Sequence, residues 1–327
     1  MTNNRPHNLG DNHRLCTAPM LDWSDRHCRY LFRLFAPKAM VYTEMVSAGA
    51  ILHGDRQKHL DFSKEEHPIS LQLGGNSPED LANCVKISNQ WGYDEFNINC
   101  GCPSERVQNG NFGATLMLEP SLVGDCIKAM SSETDATISV KHRLGLDSAN
   151  GYGFLSDFVG TVSEAGCKTF VAHARIAVLS GMSPKKNREV PPLNYDYVYQ
   201  LKKDFPDCSF ILNGGLDQST DYNEVLTQVD GVMIGRAAYH TPEFLGTLSH
   251  QIHRCPSPKI EAIVSSIHRY AQEQVKKGVY LRAITRHLLG LFHGVRGAKN
   301  WRRLLSSPTE LSKNDASLIL KAFELVN

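Results

Sequence analysis

Along the chain, short apolar runs rich in β-branched residues alternate with longer stretches whose apolar positions repeat every three to four residues. Runs of the first kind lie at 15–19, 41–46, 69–73, 95–99, 137–143, 169–174, 209–213 and 231–235, and each reads as a buried strand. The stretch SPEDLANCVKISNQWG shows the second pattern: Ser77 is placed to cap a helix, Pro78 to open it and Gly92 to stop it. Strands alternating with helices in this way predict an α/β fold, a (β/α)8 TIM barrel, over residues 1–244. A doubly wound sheet is the alternative, but no GxGxxG follows the first strand. After Pro242 the strand pattern stops. Helical periodicity at 260–277, 281–293, 297–305 and 314–326 predicts a small all-helical domain over 245–327, with HRCPSPK as the linker.

Strand parity sorts the polar residues. In ISLQLGG, Ser70 and Gln72 lie opposite Ile69, Leu71 and Leu73. In EFNINC, Asn97 and Asn99 oppose Phe96, Ile98 and Cys100; in TISVKHR, Lys141 and Arg143 oppose Val140 and His142. In TFVAHAR, Val171, His173 and Arg175 share one side. Gln72, Asn99, Lys141, Arg143 and His173 therefore converge at the carboxyl ends of four consecutive strands, where barrel sites are built. One such residue is easily a satisfied core residue; five together point to a site.

The seventh strand ends in NGG (Asn213, Gly214, Gly215) and the eighth in IGR (Gly235, Arg236). Glycines let backbone N–H groups approach a phosphate, Arg236 adds charge, and the loops after these two strands are the habitual phosphate site of such barrels. Across the mouth, Lys141 suits the electron-rich edge of a reduced flavin ring. FMN has both the ring and the single phosphate.

Cys100 and Cys102 flank this mouth. By parity Cys100 points to the helix layer, as a small hydrophobe does. Cys102 lies past the strand end, between Gly101 and Pro103, before a loop with Gly110 and Gly113 that offers few anchors and reads as a mobile lid. CxC alone is weak evidence for metal or for a redox pair. Hydride addition to a C=C bond from a flavin leaves a carbanion or enolate to be protonated from the other face. A lone thiol, with an ordinary pKa of about 8.5, is suited to that.

Net charge is only +1, but it is unevenly spread: residues 245–327 carry a balance of +8 and the remainder −7. That asymmetry hints at a polyanionic partner, although solvated helix faces also carry such charge. The polar start MTNNRPHNLGDNHR shows no signal peptide, no apolar run approaches a membrane span, and nine scattered cysteines read as reduced thiols of a cytoplasmic protein.

Taken together, TAPM, LQLGG, NCGCPS, VKHRLG, HAR, NGG and GR resemble the tRNA dihydrouridine synthases over nearly the whole chain. GCPSERVQNGNFGATLM is the most specific of these. HARIAVLSGMSPKKNREVPPL and GLFHGVRGAKNWRRLL are similar to the bacterial A-type branch, which reduces uridines 20 and 20a of the tRNA D-loop. The resemblance implies that Pro19 and Met20 lie under the flavin ring. It implies that Gln72, Lys141, His173, Asn213, Gly214, Gly215, Gly235 and Arg236 bind FMN. Cys102 would protonate uracil C5 after hydride reaches C6, and Asn99 and Arg143 would line the base pocket. Lys185, Lys186 and Arg188, with Arg302 and Arg303, would contact tRNA. NADPH would reduce FMN and leave. No metal and no membrane are implied, and a monomer is expected. Cys100, His142 and Leu144 depart from the family pattern, all on the outward parity. Rival readings are an FMN barrel acting on a free pyrimidine or enone, and an RNA-binding factor with dispensable catalysis. The basic tail argues against the first, and the joint presence of Lys141, Cys102 and the phosphate turns against the second.

Overall fold

In the computed structural model, residues 10–326 are described; the polar start at 1–9 lies outside them. Eight parallel strands close into a barrel: β1 (Leu15–Thr17), β2 (Met40–Tyr42), β4 (Ile69–Gly74), β5 (Glu95–Cys100), β6 (Thr137–His142), β7 (Thr169–His173), β8 (Ser209–Asn213) and β9 (Gly231–Ile234). Each pairs with the next in the chain, β2 pairs with β4, and β1 pairs with β9 to close the ring. A two-residue strand, β3 (Val46–Ser47), runs beside the end of β4. The run at 41–46 is thus broken, not continuous. Thr43 N still donates to Ser70 O at 3.0 Å, but Gln72 N is accepted at 3.0 Å by the Thr43 side-chain Oγ1, which itself donates to Glu44 O at 2.8 Å, and the ladder ends there.

The parity expected from the sequence holds. Ile69, Leu71, Leu73, Phe96, Ile98, Cys100 and Val140 face outward into one core shared with the helices. Inside the barrel the packing is divided. Cys16, Met40, Tyr42, Val171, Ile211 and Met233 form an apolar half. Ser70, Gln72, Glu95, Asn97 and Ser139 form a buried polar half. Helices cover the ring as their sequences direct. Pro78–Ser88 opens under a Ser77 cap, whose Oγ accepts from Asp80 N at 3.2 Å, and the chain leaves at Gly92, whose φ of 76° needs glycine.

The helix Glu243–His253 spans the 244/245 boundary and packs against Phe35 through Gly246, so it belongs to the barrel's outer layer. The tail helices begin at Ile260. The expected helix at 281–293 ends early, at Leu281–Thr285. Its apolar spacing persists, with Leu288, Leu291 and Phe292 buried, but the chain turns tightly there. Phe292 takes a φ of 65°, and a Cβ on Gly290 would lie 2.7 Å from His240 O. In Ala298–Leu305, fully buried Trp301 donates from Nε1 to Leu288 O at 2.8 Å. The tail is fastened to the barrel by Tyr270, stacked on Tyr30 at 3.9 Å between ring centres. Asp25 Oδ2 accepts from Arg286 Nη2 at 2.8 Å and from His287 Nε2 at 2.9 Å.

Candidate active site

The strand ends bring Lys141, His173 and Asn213 together. Lys141 and Asn213 lie on β6 and β8, two strands apart, yet both point inward, and Lys141 Nζ donates to Asn213 Oδ1 at 2.9 Å. Asn213 Nδ2 in turn donates to Met233 O at 2.7 Å. Burial, aided by the Arg143 charge, pushes the Lys141 ammonium down to about 7. Burial also pushes His173 well below its usual range, and the charges of Arg143, Lys141, Arg175 and Arg188 add to this. His173 Nδ1 has no partner among the described residues. Met20, at the turn after β1, packs on the apolar half of the interior, so it floors the mouth beside Pro19. Its turn is closed by Ser24, whose Oγ accepts from Met20 N at 2.8 Å.

The glycine turn after β8 runs through left-handed backbone. Gly214 and Gly215 take φ of 105° and 72°. At Gly215 the left-handed backbone favours glycine, and a Cβ there would press on the Leu193 side-chain tip at 2.4 Å. Tyr195 OH donates to Gly214 O at 2.7 Å and steadies the turn. Arg236 begins a short helix after Gly235, but its guanidinium is engaged: Nη1 donates to Glu189 Oε1 at 2.6 Å and Nη2 to Arg188 O at 3.3 Å.

Cys100 is sealed and Cys102 is not. Of the nine cysteines, Cys102 alone is only partly buried. Burial pushes the Cys100 thiol well above its usual range. Asn99 Oδ1 accepts from Gly101 N at 3.1 Å and from Cys102 N at 2.9 Å, which turns the chain at the end of β5. Cys102 Sγ lies 3.4 Å from Ser104 Oγ.

A family model described as Dihydrouridine synthase (Dus) matches residues 16–327. The chain belongs to the dihydrouridine synthase family. A tRNA-dihydrouridine(20/20a) synthase of Salmonella typhi is 48% identical, covering 96% of this chain and 95% of that one. Its counterpart in Vibrio vulnificus is 51% identical over 90% of each chain. That of Pasteurella multocida is 46% identical over 100% of this chain and 99% of its own. Among solved structures, an old yellow enzyme homologue from Zymomonas mobilis shares the fold, with a TM-score of 0.52 at 10% identity over 75% of this chain and 90% of that one.

The structure adds detail around the mouth of this dihydrouridine synthase. The loop after Cys102 is well anchored. It forms the helix Glu105–Asn109 and the turn Gly113–Leu118, Ala114 N donates to Cys102 O at 2.9 Å, and Gln108 Nε2 reaches Pro103 O at 2.8 Å and Leu179 O at 2.9 Å. Arg143 clamps the loops around the mouth. Its Nε donates to Gly101 O at 3.2 Å, and its Nη1 to Asn187 O at 2.9 Å and Ile176 O at 3.3 Å. Burial pushes it down to about 10, with Arg188 and Arg175 adding to the effect. Arg188 is exposed like Lys185 and Lys186 but lies close enough to the mouth to feel Arg236 and Cys102.

Sequence reasoning missed Asn187 and Glu189. Both sit inside KKNREV, where the charge run hides them. Asn187 is fully buried: its Oδ1 accepts from Val178 N and its Nδ2 donates to Val178 O, each at 2.8 Å, which folds the loop after β7 onto itself. Beside the mouth a cleft of about 1410 Å³ opens between the first barrel loops and the tail, lined by Leu21, Glu44, Arg106, Tyr280 and Arg282 among others. Tyr280 is 79% exposed there. Arg302 and Arg303 lie exposed on Ala298–Leu305, with no ion pair among the described residues. No group of three or more His, Cys, Asp or Glu among the described residues is placed to hold a metal, and none of their helices is long and apolar enough to cross a membrane.

Proposed function

We propose that this protein is a flavin-dependent tRNA-dihydrouridine synthase that saturates the C5=C6 bond of uridines 20 and 20a in the tRNA D-loop, with FMN as the bound flavin and NADPH as reductant. The observation that carries the reading is a set of cations, buried Arg143, half-buried Lys141 and exposed Arg188, each close enough to feel the charge of one partly open thiol, Cys102. Lys141 has one protein acceptor for three N–H groups, and burial depresses its charge, so the mouth favours an anionic ligand. The residues fit an FMN. Gly214, Gly215 and Gly235 expose backbone towards a phosphate, Arg236 is free to exchange Glu189 for it, and Gln72, Lys141, His173 and Asn213 face the ring, with Pro19 and Met20 beneath.

When bound and reduced, the flavin supplies a hydride. The chain's own residues do the rest. A uracil inside folded tRNA is inaccessible and must be turned out into the mouth. The Cys102 thiol gives its proton to uracil C5, and Lys141, Arg143 and Arg188 stabilise the thiolate left behind. Asn99 and Arg143 hold the Cys102 turn through Gly101 and Cys102 backbone atoms, and so shape the base pocket from beneath. Lys185, Lys186, Arg302 and Arg303 supply phosphate contacts, and the cleft with exposed Tyr280 has room for an RNA segment. We divide the chain at the linker, residues 254–259, into a catalytic barrel and a tRNA-binding helical tail, acting as a monomer in the cytoplasm.

The test is spectroscopic and then catalytic. The purified protein is expected to be yellow, to be bleached by NADPH, and to recover colour with tRNA lacking dihydrouridine. A colourless protein that cannot be reconstituted with FMN overturns the site. Recovery with free uracil as fast as with tRNA favours the rival, a barrel acting on free pyrimidines.

A further inference from the structure

The polar half of the barrel interior is one continuous chain of hydrogen bonds. It starts at Glu95 Oε2, which lies 2.6 Å from His13 Nε2. Glu95 Oε1 accepts from Ser70 Oγ at 2.8 Å and from Ser139 Oγ at 2.7 Å. Ser139 Oγ accepts from Asn97 Nδ2 at 2.7 Å, Asn97 Oδ1 from Gln72 Nε2 at 2.8 Å, and Gln72 Oε1 from Asn99 Nδ2 at 2.8 Å. Asn99 Oδ1 then accepts the backbone N–H groups of Gly101 and Cys102. The register explains the column: Ser70 lies opposite Glu95, Gln72 opposite Asn97, and Asn97 opposite Ser139. On β5 all three inward residues, Glu95, Asn97 and Asn99, belong to the chain.

Both ends dictate the same direction. An ionised carboxylate only accepts, so Ser139 must donate to it and accept from Asn97. The two backbone N–H groups at the mouth only donate, so Asn99 must present its oxygen to them. Reversing any one amide between these ends would set N–H against N–H or oxygen against oxygen, all of it buried. Glu95 stays ionised: burial raises its carboxyl, but His13, Ser139 and Tyr42 outweigh this and hold it below the usual carboxylate range.

We propose that Glu95, acting through Ser139, Asn97, Gln72 and Asn99, is a positioning residue that fixes the Cys102 turn from the closed end of the barrel. Its carboxylate sets the direction of three amides, and the last of them holds the backbone that carries the thiol. The proposal deepens the reading of Cys102 as proton donor, and rests on it only for the catalytic readout.

Ser70 supplies the control. Ser70 and Ser139 are both fully buried, and both donate to the same Glu95 oxygen, but only Ser139 passes the chain on to Asn97. Both Ser70→Ala and Ser139→Ala should lose thermal stability, Ser139→Ala the more because it also leaves Asn97 Nδ2 unpaired. In the flavin-loaded protein, only Ser139→Ala should speed amide hydrogen exchange at Gly101 and Cys102, by about tenfold, as expected for one weakened buried hydrogen bond. The same variant should lower kcat for tRNA by up to about tenfold with KM unchanged. Glu95→Met should match Ser139→Ala in exchange, whereas Glu95→Gln, which keeps an oxygen facing both serines, should retain the protection. Equal exchange in the two serine variants, or protection lost in Glu95→Gln as fully as in Glu95→Met, overturns the proposal. Faster exchange with unchanged kcat sinks only its catalytic half and the proton-donor reading with it, so the two failures are distinguishable.

Discussion

Cys100 and Cys102 differ in surroundings more than in sequence. The first is sealed in the outer core with its thiol pushed well up; the second stands at the mouth on a turn held by Asn99. Cys102→Ala should keep flavin and tRNA binding but slow tRNA-dependent flavin reoxidation by roughly 10²-fold, the size of a lost general acid. Cys100→Ala should leave that rate unchanged in the same stopped-flow assay; equal losses would revive a paired-thiol mechanism. Lys141 gives a pH test. Without flavin its ammonium is pushed down to about 7, well under the ordinary lysine value. Between those values the unfolded chain binds the extra proton, so this group makes flavin-free stability rise with pH. Lys141→Met should then raise the flavin-free Tm more near pH 6 than near pH 10, by calorimetry; equal gains would mean the ammonium is not strained by burial. At this scale, parity exposed the inward set from Gln72 to His173, because alternation depends on the strand alone. Parity did not expose that Arg143 spends its donors on Gly101, Ile176 and Asn187 carbonyls, since those partners come from loops distant in sequence.

Among the elements, strands were the most legible. Glu95–Cys100 and Ser209–Asn213 are continuous apolar or alternating runs between turn residues, and the structure ends them within a residue of where the pattern does. The segment after Thr285 was not, because Leu288, Leu291 and Phe292 keep a helical spacing while glycines let the chain fold back on itself. The loop after Cys102 misled for the opposite reason. Its glycines suggest mobility, yet Gly113 is there for space: at φ 72°, a Cβ would meet Val107 Cγ1 at 2.4 Å and Cys102 O at 2.7 Å. Gly113→Ala should cost about 1 kcal/mol or more in denaturant unfolding and should slow turnover by displacing Cys102. Unchanged stability and turnover would show that this loop yields freely. Trp301 anchors the tail in the same sense. Removing its fully buried ring should cost about 3–5 kcal/mol and loosen tRNA binding before it affects flavin reduction.

Across the whole molecule, charge is unevenly divided. The tail's balance of +8 faces a remainder of −7, and Arg302 and Arg303 stand exposed on a helix whose other face buries Trp301. Reversing both charges should weaken tRNA binding and flatten its salt dependence, because each lost phosphate contact releases fewer counterions. NADPH oxidation should be unaffected. Unchanged affinity and slope would move the RNA surface to Lys185 and Lys186. The distribution of sulfur has a different use. Eight of the nine cysteines are buried and one is partly open, so the native chain should consume one equivalent of a thiol reagent promptly and all nine after denaturation. The ratio of those two counts is a built-in gauge of how much of any preparation is intact. A mild oxidant should likewise strike Cys102 first, silencing the enzyme without unfolding it until a reductant restores the thiol.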